Sequence, residues 1–288
     1  METIPFEHYL EAKRVVDDRS LNQRVWGCFK DALGVGPRRI LEVGAGTGTM
    51  LHRLRDWGLA GPLDYTGIEP NPELLSPARR RVPPGDWRVT FRDDTLDTVT
   101  GSFDAVLANA VLDILPAAES LSKIGTLLEP GGLFYATITF DGLTVFHSPE
   151  PVEADQDVIR AYHLAMDSRM ITGEGHGGAE AGRRILSALP EAGFGLLAAG
   201  SSDWVIAPGV EGYLPEERVL VSWLLGTIHR AVTAVLGDPR LEDEIRRRGI
   251  GLSSAGLERW IAAREHQLAR DRLVVIAHQV DFCSQKIS

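Results

Sequence analysis

Residues 40–48 read ILEVGAGTG, an aliphatic run followed at once by three glycines at alternate positions. The aliphatic run predicts a buried strand, and the helical spacing of apolar residues after Gly48 predicts a helix. Glycine adopts backbone conformations that other residues avoid, so it lets a ligand approach the main chain closely. This strand, turn and helix therefore predict a ligand-binding crevice at the carboxyl end of the first sheet strand.

The same alternation of strands and helices continues for about a hundred residues. Strands are predicted over 39–43, 64–68, 87–91, 103–108 and 133–139, and two more over 195–206 and 272–282. Short helices between apolar strands are typical of a mostly parallel sheet that is covered on both faces. The fold class predicted from this pattern is α/β.

Composition and charge narrow the classes of function. The chain has 288 residues, of which 44% are hydrophobic and 24% charged, as in ordinary globular proteins. Its formal net charge of -10 disfavours nucleic acid as a partner. Neither a signal peptide nor a stretch of about 18 uncharged apolar residues is found, which disfavours secretion and membrane spanning.

Cysteine usage predicts a reducing compartment. Cys28 and Cys283 lie at opposite ends of the sequence, and neither belongs to a CxxC pair or a Cys/His cluster. A disulfide framework and a zinc site are therefore not expected. The predicted location is the cytoplasm.

Polar residues follow the second and third predicted strands. Glu69 ends the second strand, and a carboxylate there can accept hydrogen bonds from both hydroxyls of a ribose. Asp93, Asp94 and Thr95 follow the third strand and could accept hydrogen bonds from the exocyclic amine of a purine. Together with the glycine turn, these positions predict a nucleoside site.

Four segments in order, ILEVGAGTG, GIEPN (67–71), RDDT (92–95) and FDAVLANAVLDIL (103–115), resemble the class I S-adenosylmethionine-dependent methyltransferases. The resemblance is strong over 38–139 and weaker over 182–206 and 272–282. It implies a Rossmann-like sheet of seven strands, mostly parallel with the last antiparallel. It also implies S-adenosylmethionine as cofactor and S-adenosylhomocysteine as product.

The resemblance assigns roles to residues at the strand ends. The glycine turn would contact the methionyl portion of the cofactor, Glu69 the ribose, and Asp94 with Thr95 the adenine. Asp93 is the alternative to Asp94, because the pair permits a shift of one residue. Asn109 would lie beside the sulfonium or the substrate. The implied cofactor-binding set is Glu42, Gly44, Ala45, Gly46, Gly48, Glu69, Pro70, Asp93, Asp94, Thr95 and Asn109.

A dinucleotide site is the nearest alternative, because it shares the glycine turn after the first strand and the acid after the second. The third glycine distinguishes the two. A dinucleotide turn requires glycine at position 49, which is Thr49, whereas Gly48 fits the methyltransferase pattern.

Methyl transfer from a sulfonium needs no metal, and it needs a general base only when the acceptor is not already ionised. No motif singles out a base. Asp113 stands where many relatives have His, and His163 with Asp167 has the spacing of a solvated helix face. His176 lies in the glycine-rich segment 173–182, for which a lid and a surface loop are equal alternatives. The candidates are Asp113, Asp141, His147, Tyr162, His163 and His176.

The remaining segments predict the domain organisation. Residues 37–288 form the methyltransferase domain, and the helical segment 1–36 joins insertions at 141–181 and 207–271 in a cap over the carboxyl ends of the strands. An enclosing cap favours a small-molecule acceptor with an O, N or C nucleophile, for example in secondary metabolism. The alternatives are a cofactor-binding subunit without activity, or methylation of protein or RNA. The apolar stripe over 219–235 fits a packed core or a homodimer interface.

Overall fold

The computed structural model describes residues 4–82, 85–171 and 177–287, without the side chains of 169–171. Two compact units divide the chain. The sheet unit comprises Leu21–Asp141, Glu180–Ser202 and Gln279–Ser288. The helical unit comprises Met1–Ser20, Gly142–Ala179 and Asp203–His278.

Strands and helices alternate in the first half of the chain, as the sequence predicts. The strands are β1 Arg38–Val43, β2 Leu63–Ile68, β3 Arg88–Arg92, β4 Phe103–Asn109, β5 Leu128–His147, β6 Phe194–Ser201, β7 Trp204–Ile206 and β8 Val274–Lys286. The helices are α1 Phe6–Ser20, α2 Gln23–Leu33, α3 Thr49–Asp56, α4 Pro72–Arg80, α5 Ala117–Leu127, α6 Asp155–Ile171, α7 Ala181–Ala188, α8 Pro215–Gly237, α9 Glu242–Arg247 and α10 Ser254–Ala269. Short 3-10 helices cover Leu112–Ile114 and Pro239–Leu241.

The sheet has the strand order β3-β2-β1-β4-β5-β8-β6. β1 pairs in parallel with both β2 and β4, and Val43 is level with Ile68 and Ala108. The carboxyl ends of these three strands therefore meet at one edge of the sheet. β6 and β8 pair antiparallel. The predicted Rossmann-like architecture, with its last strand antiparallel, is confirmed.

One predicted strand is divided in the structure. The run 195–206 forms two strands, β6 and β7, because Ser202 and Asp203 lie outside the regular strand conformation. β7 pairs antiparallel with the beginning of β8, where Trp204 faces Ala277. The described part of the chain therefore has eight strands rather than the seven that the resemblance implies.

Helix α2 differs from the expected grouping of residues 1–36. Its apolar stripe, which includes Val25, Phe29 and Leu33, is buried in a core cluster with Ile40 of β1 and Tyr135 of β5. This packing places α2 in the sheet unit, whereas α1 belongs to the helical unit with most of the two predicted insertions. The position of a cap over the strand ends stays a prediction.

Helix α4 begins at Pro72, directly after its N-cap residue. Asn71 caps the helix, because its side chain accepts a hydrogen bond of 3.0 Å from the N–H of Glu73. Pro72 occupies the first helical position, and a second proline, Pro77, lies inside the helix.

Helix α8 is long and apolar enough to cross a membrane by length and composition. In the helical unit, however, it packs against α1, α6 and α10. Leu220, Val221, Leu225 and Val232 are buried there. This burial is typical of the core helix of a folded unit and agrees with the packed-core interpretation of the 219–235 stripe.

Asp281 of β8 is a buried carboxylate that joins three parts of the sheet unit. One oxygen accepts a hydrogen bond of 2.8 Å from the N–H of Asn22 at the start of α2. The other accepts one of 2.8 Å from the N–H of Ile138 in β5. Ile138 has a φ of 55°, which is costly for a β-branched residue. Asp281 therefore stabilises both the beginning of a helix and an irregular point in the central strand.

We expect Asp281→Ala to lower the free energy of unfolding by about 2–4 kcal/mol, because it leaves two main-chain donors without their acceptor. Denaturant unfolding of the full chain measures the change. Asp31→Ala, at an exposed position of α2, is the control and should change stability by less than about 0.5 kcal/mol. Equal stabilities of the two variants would contradict this role for Asp281.

Candidate functional site

The glycine turn joins β1 to α3 at the carboxyl edge of the sheet. Gly44, Gly46 and Gly48 all have positive φ, at 68°, 52° and 79°. Gly44 is the most restricted, because a Cβ there would lie 2.8 Å from Cγ2 of Val111. The turn thus packs closely against the segment that follows β4. Only glycine combines a positive φ with the absence of a Cβ that would meet Val111.

Glu69 is held against this turn by main-chain donors. Its Oε2 accepts a hydrogen bond of 3.0 Å from the N–H of Gly46, and its Oε1 accepts one of 3.0 Å from Asn71. A carboxylate offers about four acceptor positions, so about two remain for a ligand. The side chain is only 9% exposed, which strengthens any hydrogen bond made there.

The adjacent positions of the predicted set also lie at this edge. Ala45 is buried, and its N–H donates to the carbonyl of Ile68 at 2.9 Å. Pro70 is exposed beside Glu69. The turn is therefore tied to the end of β2 through the main chain as well as through the Glu69 carboxylate.

The two aspartates after β3 have different surroundings. Asp94 forms an ion pair of 2.5 Å with Arg92, and its Oδ1 accepts a hydrogen bond of 3.2 Å from Thr98. Thr95 takes part in the turn that follows, because its hydroxyl accepts from the N–H of Asp97 at 3.3 Å. Asp93 is exposed directly after the strand.

Glu42 is a buried carboxyl group near the end of β1. Burial raises its pKa well above the usual value, Arg53 acts in the opposite direction, and Glu69 raises the pKa further. Within the described residues, its Oε2 has no hydrogen-bond partner. A cationic ligand at this edge would favour the ionised form of Glu42. The glycine turn, Glu42 and Glu69 together fit a ligand that carries both a ribose and a positive charge.

Asn109 ends β4 beside the same turn. Its Oδ1 accepts a hydrogen bond of 2.8 Å from the hydroxyl of Thr137 on β5. The next residue, Ala110, has a φ of 53°, and its N–H donates to the carbonyl of Thr137 at 2.9 Å. These bonds fix the end of β4 against β5. Asp113 lies half-buried in the 3-10 helix that follows.

The other predicted acid–base candidates do not converge within one unit. Asp141, in the sheet unit, accepts hydrogen bonds of 2.9 Å from both the N–H and the Nε of Arg183, and so stabilises the beginning of α7. The helical unit contains His147, exposed at the end of β5, together with Tyr162 and His163 in α6. His176 lies outside the described residues. A catalytic role for any of these residues stays a prediction.

The interpretation of His163 and Asp167 as a simple solvated pair is incomplete. Asp167 accepts a hydrogen bond of 2.9 Å from the N–H of Ala179 and forms an ion pair of 3.0 Å with Arg248. Asp167 therefore stabilises the helical unit. In the part of the chain that the structure describes, no group of three or more His, Cys, Asp or Glu side chains could hold a metal ion.

Sequence reasoning missed Thr137 and Asp281. Both lie inside predicted strands, where polar residues give no signal of their partners. Only the pairing of β4 with β5 and the packing of α2 beside β8 reveal what they bind.

Comparison with known proteins agrees with this geometry. Residues 41–134 match the family model of a methyltransferase domain. This region is therefore similar to a methyltransferase domain. The family uses S-adenosylmethionine, and the residues at the carboxyl edge of the sheet fit that cofactor, which carries a ribose and a cationic sulfonium. The match ends before most of the helical unit begins.

Two curated relatives resemble the methyltransferase domain. An uncharacterized methyltransferase of Mycobacterium tuberculosis is 33% identical over 101 residues, which are 35% of this chain and 39% of the relative. A ubiquinone biosynthesis O-methyltransferase of Xanthomonas oryzae is 32% identical over 112 residues, which are 37% of this chain and 45% of the relative. The alignments thus span less than half of each relative.

A solved structure, assigned as a methyltransferase of Bacillus halodurans, is similar over a longer range. It covers 93% of this chain and 100% of its own, with a TM-score of 0.50 and 14% identity. This similarity concerns the fold alone.

We expect Gly44→Ala to disrupt the turn of the methyltransferase domain, because alanine pays about 1–2 kcal/mol for a left-handed conformation and its Cβ meets Val111. The free energy of unfolding should fall by more than that cost. Val111→Ala removes the Cγ atoms that the new Cβ would meet. The double variant should therefore lose less free energy of unfolding than the two single variants lose in sum. A double-mutant cycle that shows strict additivity would contradict the contact.

Proposed function

We propose that this chain binds S-adenosylmethionine at the carboxyl edge of the sheet unit and transfers its methyl group to a small-molecule acceptor. The observation that carries the proposal is the Glu69 carboxylate. Two main-chain donors hold it beside the glycine turn, and about two of its acceptor positions remain for ribose hydroxyls.

Other residues of the sheet unit would complete the cofactor site. The turn over Gly44–Gly48 would bring main chain to the methionyl portion, and a sulfonium near the buried Glu42 carboxyl would lower the pKa that burial raises. Asn109, held by Thr137 at the end of β4, would lie beside the reacting end of the cofactor. The bound cofactor supplies a methyl group that is already activated. The protein's residues then have to orient the acceptor and exclude water.

Charge and chain organisation support a small-molecule acceptor. The net charge of -10 disfavours a nucleic-acid substrate. The whole helical unit lies outside the matched residues 41–134, so the segments that differ from the matched family are the ones in which we expect acceptor specificity to be encoded. Secondary metabolism, a cytoplasmic location and a homodimer remain predictions with this proposal.

We expect Glu69→Ala to weaken S-adenosylhomocysteine binding by about 1–3 kcal/mol, the contribution of charge-assisted hydrogen bonds. Isothermal titration calorimetry of the full chain measures the change. Glu73→Ala, at an exposed position of α4, is the control and should bind like the natural chain. Unchanged affinity in a folded Glu69→Ala variant would refute the ribose assignment.

Asp93 is the better candidate to read the adenine, because Asp94 already binds Arg92 and Thr98. We expect Asp93→Ala to reduce the preference for S-adenosylhomocysteine over S-inosylhomocysteine, whose purine has an oxygen in place of the amine. Asp94→Ala should lower stability and leave that preference unchanged. Loss of the preference only in Asp94→Ala would assign the adenine to Asp94.

Turnover separates the proposed enzyme from a cofactor-binding subunit. The full chain is incubated with S-adenosylmethionine and a panel of phenols, carboxylates and amines, and release of S-adenosylhomocysteine is measured. Release that depends on one acceptor class supports the enzyme and identifies the acceptor atom. Binding without release across the panel favours the subunit without activity.

A further inference from the structure

The fold brings together two cysteines that the sequence separates. Cys283 of β8 is fully buried in the core of the sheet unit, and Cys28 of α2 is half-buried and packs against the same apolar cluster. The two side chains are close enough to interact. Position at opposite ends of the sequence was therefore a poor guide to whether these cysteines could pair.

The geometry of α2 and β8 accounts for this meeting. The N–H of Asn22 is anchored on Asp281 at 2.8 Å. Cys28 lies six residues further along α2, a rise of about 9 Å. Cys283 lies two residues further along β8, about 7 Å, and its side chain is on the same face of the strand as that of Asp281. Since α2 packs against β6, which pairs with β8, these similar advances along helix and strand carry both cysteines to the same core cluster.

The side chain of Asn22 independently fixes the same end of α2. Its Nδ2 donates a hydrogen bond of 2.9 Å to the carbonyl of Ser201 on β6. Ser201 pairs with Val280 of β8, and further along the ladder Ala198 pairs with Cys283. The start of the helix that carries Cys28 is thus attached to both β8 and β6.

We propose that Cys28 and Cys283 form a modification site at which a peroxide produces an intramolecular disulfide between α2 and β8. The Cys28 sulfur attacks the O–O bond, which yields a sulfenic acid at Cys28 and one water. The Cys283 sulfur then attacks the Cys28 sulfur, which forms the S–S bond and releases a second water. Two thiols are oxidised and one peroxide is reduced.

The exposures of the two cysteines assign their order in this reaction. Peroxide reaches the half-buried Cys28 first. Burial raises the pKa of the Cys283 thiol to about 12, and the neighbouring Cys28 raises it as well, so its thiolate is scarce at neutral pH. The small thiolate population slows the second step. This inference does not depend on the proposed methyl transfer.

The test treats the reduced full chain with hydrogen peroxide, blocks remaining thiols with an alkylating agent, and analyses unreduced digests by mass spectrometry. We expect a cross-linked peptide pair that contains Cys28 and Cys283, an intact mass lower by two hydrogen atoms, and reversal by dithiothreitol. Cys28→Ser and Cys283→Ser should each abolish the link. The same treatment in urea should give at least tenfold less of it, because the unfolded chain no longer holds the thiols together.

Three results would overturn the proposal. Oxidation could stop at sulfenic or sulfinic acid on Cys28 while Cys283 remains a thiol. The link could form equally in the folded and the urea-unfolded chain, or only between two molecules. Finally, both cysteines could remain unmodified at peroxide concentrations that oxidise a free thiol in the same solution.

Discussion

The hydrogen bond from the N–H of Gly46 to the carboxylate of Glu69 is the constraint around which the site is organised. It joins the turn after β1 to the end of β2, and it is available only because parallel pairing brings the ends of these strands level. The Glu69 carboxylate is thereby fixed in position before any ligand arrives. Such preorganisation lowers the entropy that binding has to overcome.

Local patterns in the sequence predicted the sheet and its edge well. The order of glycine turn, strand-end acid and apolar strands is encoded within about a hundred residues, where each strand carries its own signal of hydrophobicity and length. The structure confirms those strands and brings Glu42, Gly44, Glu69 and Asn109 to one edge of the sheet unit. Their contact with the cofactor remains a prediction.

Features that depend on distant pairing were not predictable from local patterns. Neither the role of Asp281 nor the meeting of Cys28 with Cys283 leaves a trace in nearby residues, because each partner lies at the other end of the chain. Similarly, the division of the 195–206 run and the membership of α2 in the sheet unit follow from tertiary packing rather than from propensity. The acceptor site shares this difficulty, since the segments outside the matched domain carry no motif.

The sheet unit consists of three segments that are separated in the sequence, and this separation affects how the chain folds. Asn22 and Asp281 are separated by 259 positions, and the segments of the helical unit are synthesised between them. Closing so long a loop costs entropy before the contact is made, and folds rich in such contacts form slowly. During translation the start of α2 must therefore wait, without its acceptor, until the final strand has left the ribosome.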